Sequence, residues 1–179
     1  MTCKKQHMRN KSAMPSIKKN LTMNKIAIFA DVQNIYYTTR DTYSQQFNYR
    51  KLWQEISAQG EITRAIAYAT QRDDDQQTRF HDALKHIGFT LKLKPYIQRS
   101  DGSAKGDWDV GIAIDVMETS KDVDTVILLS GDGDFDLLLQ KIMTKYGVST
   151  EVYGVPALTA RSLMDRASIY HPINSRLLL

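Results

Sequence analysis

The chain has 179 residues, of which 42% are hydrophobic and 25% charged, a composition typical of one globular domain and not of a disordered chain. It contains no run of 18 apolar residues, which excludes a membrane-spanning helix. Its single cysteine, Cys3, excludes a disulfide framework and a cysteine-rich zinc site, so we expect a cytoplasmic protein. The formal net charge of +4 is typical of a nucleic-acid-binding protein, but this charge is unevenly distributed.

Short apolar runs alternate with amphipathic segments along the chain. The apolar runs predict buried strands at 26–30, 62–70, 89–93, 124–129, 148–152 and 169–173. The amphipathic segments predict helices at 48–59, from 73 to about 87, from 107 or 109 onward, at 135–146 and at 158–167. The third of these helices is expected to bury Val110, Ile114 and Met117, and a polar loop is expected over 95–106. This alternation predicts an α/β three-layer sandwich with a mostly parallel central sheet.

The N-terminal segment differs in charge from the rest of the chain. Residues 1–25 contain seven basic side chains and no acid, whereas residues 26–179 have a net charge of −3. The segment lacks the apolar region of a secretory signal. We interpret 1–24 as a basic, disordered leader and 25–179 as a single domain. Two explanations of the leader stay open, an electrostatic arm for nucleic acid or an incorrectly assigned start before Met23.

Aspartate is concentrated in one part of the sequence. The chain has 16 Asp and only 4 Glu, and nine of the Asp lie between 101 and 136. Aspartate is a poorer helix former than glutamate and is favoured in caps, turns and metal sites. Asp31 follows the first predicted strand, Asp132 and Asp134 follow the fourth, and Asp109 lies where a helix begins. Because ligands of open α/β sheets bind beyond the carboxyl ends of the strands, we expect these side chains to converge on one crevice.

Taken singly, these acids also have explanations that need no ligand. Helix N-caps account for Asp107, Asp109 and Asp134, the last of these before the helix at 135–146. An Asx turn accounts for Asp31 together with Asn34.

Taken together, the acids favour a metal site, although Asp115 by itself can lie on a solvated helix face and Gly131 and Gly133 can serve a tight turn. Four or more neighbouring carboxylates repel one another unless protons or cations neutralise them. Mg²⁺ binds carboxylates, water and phosphate. The histidines offer no zinc pattern, and His81 and His86 are expected at the surface. The sequence therefore predicts a Mg²⁺ or Mn²⁺ site that acts on phosphate.

Three spaced motifs carry a family resemblance. They are I-F-A-D-V-Q-N at 28–34, K-G-D-W-D-V-G-I-A-I-D at 105–115 and V-I-L-L-S-G-D-G-D-F at 126–135. In these motifs the chain resembles the NYN domain family, PIN-like nucleases that include the LabA-type bacterial proteins. The resemblance covers 25–173 and implies a Rossmann-like PIN-type fold. It also implies a ribonuclease that hydrolyses RNA phosphodiester bonds with Mg²⁺ or Mn²⁺ as its cofactor.

The resemblance also implies which residues form the site. The catalytic and metal-binding residues are then Asp31, Asp109, Asp132 and Asp134. The supporting residues are Asn34, Asp115 and Ser130.

The expected partner is single-stranded RNA, and no association with a membrane is expected. The candidate phosphate contacts are the basic residues Arg72, Lys94, Arg99 and Lys105, for which ordinary solvated surface is the alternative. Trp108 is the best candidate for stacking on a base, and we expect it to be exposed. Tyr36 and Tyr37 either stack on bases or pack under the first strand.

Other functions remain open at the level of the sequence. The main alternative is a regulatory module of the LabA type that binds RNA or nucleotide and cleaves little or nothing. A phosphatase of the haloacid-dehalogenase type needs a second Asp two residues after the first, where this chain has Gln33. A Toprim module needs Glu at the end of its first strand, where this chain has Asp31. The RNA species, the number of metal ions and the oligomeric state are open.

Overall fold

A six-stranded parallel sheet forms the centre of the molecule. The computed structural model describes residues 23–71, 74–95, 97–98, 104–105 and 107–179, so most of the predicted leader lies outside the described residues. The strands of the sheet are β1 (Lys25–Asp31), β2 (Glu61–Gln71), β3 (Thr90–Pro95), β6 (Thr125–Leu129), β7 (Ser149–Gly154) and β8 (Ile169–Pro172). Their order is β3-β2-β1-β6-β7-β8, and every neighbouring pair is parallel. Two short strands, β4 (Ile97–Gln98) and β5 (Ala104–Lys105), pair antiparallel beside it.

Helices cover both faces of the sheet. They are α1 (Val32–Tyr43), α2 (Tyr49–Ser57), α3 (Asp75–Ile87), α4 (Asp109–Thr119), α5 (Asp136–Tyr146) and α6 (Arg161–Arg166). Alternate residues of a strand point to opposite faces. Ile28 of β1 accordingly packs in the core under α1, α2 and α3, whereas Phe29 packs in the core under α4, α5 and α6. The predicted α/β three-layer sandwich is confirmed.

Two predicted connections differ from the structure. The sequence pattern indicated no helix directly after the first strand, yet α1 begins there. Helix α1 buries only Val32, Ile35 and Thr39, so it has too few apolar residues to show helical periodicity. The predicted polar loop over 95–106 contains the short β4–β5 pair.

The predicted buried face of α4 was wrong for two of its three residues. Val110 and Ile114 are 71% and 53% exposed, whereas Met117 is partly buried and packs against the core as expected. The buried residues of the helix include Ile112, Asp115 and Val116. Apolar residues occur on both sides of this helix, so their spacing alone does not select the side that meets the sheet.

Candidate metal centre

Asp31 ends the central strand β1 and begins helix α1. Asp31 is the N-cap of α1, and its carboxylate accepts a hydrogen bond of 3.1 Å from the backbone N–H of Asn34. The Asn34 side chain in turn accepts a hydrogen bond of 2.9 Å from the backbone N–H of Gly131. Because β1 and β6 are neighbours, this bond joins the ends of two adjacent strands. Asn34 therefore connects the segment after β1 to the segment after β6, while its supporting role in a site stays a prediction.

The segment after β6 carries Asp132 and Asp134. It passes through a single 3-10 turn, Gly133–Phe135, into α5. Asp132 caps this turn by accepting a hydrogen bond of 3.0 Å from the backbone N–H of Asp134. The buried Ser130 hydroxyl accepts a bond of 3.2 Å from the backbone N–H of Asp132. The N-cap role expected for Asp134 is therefore wrong, because the capping carboxylate belongs to Asp132.

The glycines of this segment permit close packing. A Cβ atom at Gly131 would lie 2.7 Å from the carbonyl oxygen of Leu158, and one at Gly133 would lie 2.9 Å from the Ala160 Cβ. The carbonyl of Gly131 also accepts a hydrogen bond of 2.9 Å from the Ala160 N–H. Neither glycine has a positive φ, so the reason for glycine is this close contact and not a left-handed backbone conformation.

Helix α4 brings Asp109 to the same edge of the sheet. Its N-cap position is occupied by Trp108, and the helix has no side-chain cap. The cap roles expected for Asp107 and Asp109 are therefore wrong. Asp109 lies in the first turn of the helix, where the helix dipole favours a negative charge.

Three carboxylates meet at this edge, and the carboxylate of Asp31 is near enough for the charges of two of them to act on it. One oxygen each of Asp109, Asp132 and Asp134 lies within 4.8 Å of the others. Burial raises the pKa of Asp31 from 3.8 to about 6. The charges of Asp109 and Asp132 also raise this pKa, whereas the hydrogen bond from Asn34 lowers it. We call these four residues the acidic cluster.

The carboxylates of the acidic cluster repel one another. Burial raises the pKa of Asp109, and the neighbouring carboxylates raise it further, while Lys94 lowers it. Carboxylate oxygens are the donors that hard divalent cations prefer, and a bound cation would remove the repulsion between them. The donor set therefore fits a divalent metal ion.

The chain matches the family model of the NYN domain over residues 25–174. The chain belongs to the NYN domain family. It is 28% identical over 159 residues to the "Low amplitude and bright protein LabA" of Synechococcus elongatus, with 84% of each chain covered. It is also similar to the crystal structure of a protein of unknown function from Vibrio parahaemolyticus. That match has 50% identity and a TM-score of 0.83 and covers 88% of this chain and 97% of the other.

Asp115 of the NYN domain lies outside the acidic cluster, in an ion pair of its own. It accepts a hydrogen bond of 2.6 Å from the Tyr68 hydroxyl and lies 2.7 Å from the Lys92 ammonium. It is 7% exposed, so the expected solvated position is wrong. Asp109 and Asp115 are six residues apart on α4, or about 9 Å along the helix axis. Neither Lys92 nor Tyr68 was singled out from the sequence, because both lie within strands and belong to no motif.

Trp108 and Lys94 lie beside the acidic cluster. The Trp108 indole N–H donates a bond of 3.0 Å to the Ala69 carbonyl, and its half-buried ring packs 5.3 Å from that of Tyr68. The exposure expected for Trp108 is therefore wrong. The Lys94 ammonium lies 4.3 Å over the indole ring and donates a bond of 2.7 Å to the Asp107 carbonyl. Lys94 is thus held next to the carboxylates.

Three other residues were predicted to contact phosphate. Lys105 belongs to β5, while Arg72 and Arg99 lie outside the described residues. Within the described ranges, no helix combines the length and the hydrophobicity needed to cross a lipid bilayer.

Proposed function

We propose that this NYN domain is a metal-dependent ribonuclease that hydrolyses phosphodiester bonds of single-stranded RNA at the acidic cluster. The observation that carries the proposal is the meeting of Asp109, Asp132 and Asp134 within 4.8 Å, with Asp31 facing them and with raised pKa values at Asp31 and Asp109. Membership of the PIN-like NYN family supports the same chemistry.

The four carboxylates would hold Mg²⁺ or Mn²⁺ at the carboxyl ends of β1 and β6. A divalent ion bound there supplies positive charge to the scissile phosphate and makes a water molecule more acidic. The surrounding residues keep the ligands in place. Asn34 joins the segment of Asp31 to that of Asp132, and the hydroxyl of Ser130 fixes the backbone of Asp132.

Lys94 would bind a phosphate of the substrate. Its ammonium group lies near Asp109, and the Trp108 ring and the Asp107 carbonyl restrict its position. A cation held at the border of an anionic site attracts the RNA backbone, which otherwise meets repulsion from the carboxylates.

The test is RNA cleavage by the full chain with and without Mn²⁺. We expect cleavage of a labelled single-stranded RNA with Mn²⁺, none with EDTA, and at least a hundredfold slower cleavage by Asp134→Asn. Such a loss is of the order expected when transition-state charge stabilisation is removed. The matched control is Asp82→Asn, which removes an exposed carboxylate of α3 from its surface pair with Lys85 and should cleave normally.

Two results would contradict the proposal. Cleavage that survives EDTA or the Asp134→Asn substitution would exclude the acidic cluster as the catalytic site. RNA binding without cleavage over a range of substrates would instead indicate a regulatory binding module.

A further inference from the structure

A cavity of about 520 Å³ lies between α1 and α3, at the carboxyl end of the sheet. Its lining includes Gln33 and Tyr36 of α1, Thr70 at the end of β2, and His81 of α3. This volume is within the range of sites that bind small organic groups. Helices α1 and α3 pack on one face of the sheet, and α4 packs on the opposite face.

Two buried polar atoms of the cavity lining have no hydrogen-bond partner among the described residues. They are the Tyr49 hydroxyl and the His81 Nε2, in side chains that are 5% and 7% exposed. The surface position expected for His81 is therefore wrong. Burial lowers the pKa of His81, so its ring is neutral at pH 7 and offers one donor and one acceptor nitrogen. Because buried polar atoms are nearly always paired, these two atoms indicate a ligand with a polar edge.

Aromatic rings form another part of the wall. Tyr36 and Tyr37 are 42% and 43% exposed, which excludes the alternative of core packing for both. Phe47 and Phe80 also line the cavity and pack edge-on against the Tyr49 ring, at centroid distances of 4.9 and 5.9 Å. Aromatic rings that remain accessible next to polar groups are the usual means of holding an unpaired base.

The cavity lies close to the acidic cluster. Gln33 is two residues from Asp31 in the first turn of α1. Tyr49 is near enough for the Asp31 charge to raise its pKa, in addition to the larger effect of burial. Ala69 lies between the two sites. It lines the cavity, and its backbone carbonyl accepts the hydrogen bond from the Trp108 indole. A strand of RNA that crosses this edge of the sheet can therefore contact both sites.

We propose that the cavity binds one unpaired nucleobase of the RNA whose phosphate lies at the acidic cluster. This inference rests on the proposed function. A base has the flat shape that the tyrosine rings accept and a polar edge for the Tyr49 hydroxyl and His81 Nε2. A purely apolar ligand would leave both atoms unpaired.

The test compares two short strands. One is an eight-nucleotide single-stranded RNA, and the other has the same sugar–phosphate backbone without bases. Their affinities are measured by fluorescence anisotropy, with the full chain carrying Asp134→Asn so that the strands stay intact. We expect the strand with bases to bind at least tenfold more tightly, because only it can stack and form hydrogen bonds in the cavity.

Single substitutions then locate the binding site. Tyr49→Phe removes only the unpaired hydroxyl, so the fold should persist, while the affinity for the strand with bases falls about fivefold. His81→Gln should act in the same direction. The matched controls are Tyr146→Phe at the end of α5 and His86→Gln on the exposed side of α3, and neither should alter binding. Thermal unfolding confirms that each variant is folded.

The outcomes separate this inference from the proposed function. Equal affinity for the two strands, or unchanged binding by both folded cavity variants, overturns the base site even if the wild type cleaves RNA. Base-dependent binding that the cavity variants weaken, without cleavage by the wild type, supports the base site and overturns the ribonuclease. Absence of both binding and cleavage overturns both.

Discussion

Helix α4 carries two carboxylates in opposite electrostatic situations. Asp115 is buried beside the Lys92 ammonium and the Tyr68 hydroxyl, so its charge is compensated by residues of β2 and β3. Asp109, about 1.7 turns earlier, lies against Asp132 and Asp134, and its pKa is raised. The same side chain on the same helix is therefore an ion-pair partner at one end and a member of a group of mutually repelling carboxylates at the other.

The difference shows how a structural acid is distinguished from a functional one. A buried charge is tolerated when a partner and hydrogen bonds replace the lost water. Asp115 meets this condition within the chain, whereas in the acidic cluster a bound cation would supply the partner. Three experiments test this contrast.

The largest expected effect is stabilisation of the fold by metal. At an Mn²⁺ concentration about 100 times its dissociation constant, the free energy of unfolding should rise by about 2.7 kcal/mol. We expect Asp132→Asn to lose most of this gain, because it removes a ligand from the acidic cluster. The measurement is urea unfolding with Mn²⁺ or with EDTA.

The ion pair of Lys92 with Asp115 supplies the control for the metal effect. Lys92→Met breaks this pair and leaves the acidic cluster intact, so the variant should keep the full stabilisation by Mn²⁺. An equal response of Asp132→Asn and the wild type would exclude the cluster as the binding site.

The next effect is the loss of the cation beside Asp115. Lys92→Met leaves a carboxylate of 7% exposure without its ion-pair partner and should lower the free energy of unfolding by about 2 kcal/mol. Adding Asp115→Asn should recover part of that loss, because the unpaired charge is then gone. Urea unfolding of the single and double variants measures both values.

A surface pair provides the comparison for Lys92. Lys85→Met breaks the exposed pair with Asp82 and should cost less than about 0.5 kcal/mol. If Lys92→Met cost no more than Lys85→Met, the pair at Asp115 would have no structural role.

The third effect concerns Asp31 and depends on pH. The folded protein holds a proton on Asp31 more tightly than the unfolded chain, because the pKa is about 6 in the fold against 3.8. The stability due to this proton is complete below pH 3.8 and is lost as the pH rises through 6. Asp31→Asn keeps the helix cap without the charge, so without metal it should be more stable than the wild type at pH 7.5, by at most about 3 kcal/mol.

The measurement for Asp31 is urea unfolding from pH 4 to pH 8 in EDTA. We expect the advantage of the variant to vanish near pH 4. A constant difference across this range would show that the Asp31 charge is not destabilised in the fold.

Much of the architecture could be predicted from the sequence. The strands at 26–30 and 124–129 were recognised because a buried parallel strand requires a continuous apolar run. The first lies within β1, and the second begins one residue before β6. Helix α1 was missed because its buried side is short and contains Thr39. The face of α4 was assigned wrongly because apolar residues occur on both of its sides.

Part of the candidate site could be predicted in the same way. Asp31, Asp132 and Asp134 follow neighbouring strands, and parallel topology brings such residues to one edge. The partners of Asp115, the half-buried position of Trp108 and the burial of His81 could not be predicted. Each depends on contacts between residues distant in sequence, such as the bond from Trp108 to Ala69.

The sequence by itself determined the α/β class, the single concentration of aspartate and the motifs of the NYN domain, because these depend on local pattern and order along the chain. Only the tertiary structure decided which carboxylates are neutralised and which are left facing one another. The physical reason is that the state of a charge depends on its neighbours in space and on its access to water. Asp109 and Asp115 are both aspartates of α4, and their electrostatic surroundings differ because the fold brings Lys92 to Asp115 and Asp132 to Asp109.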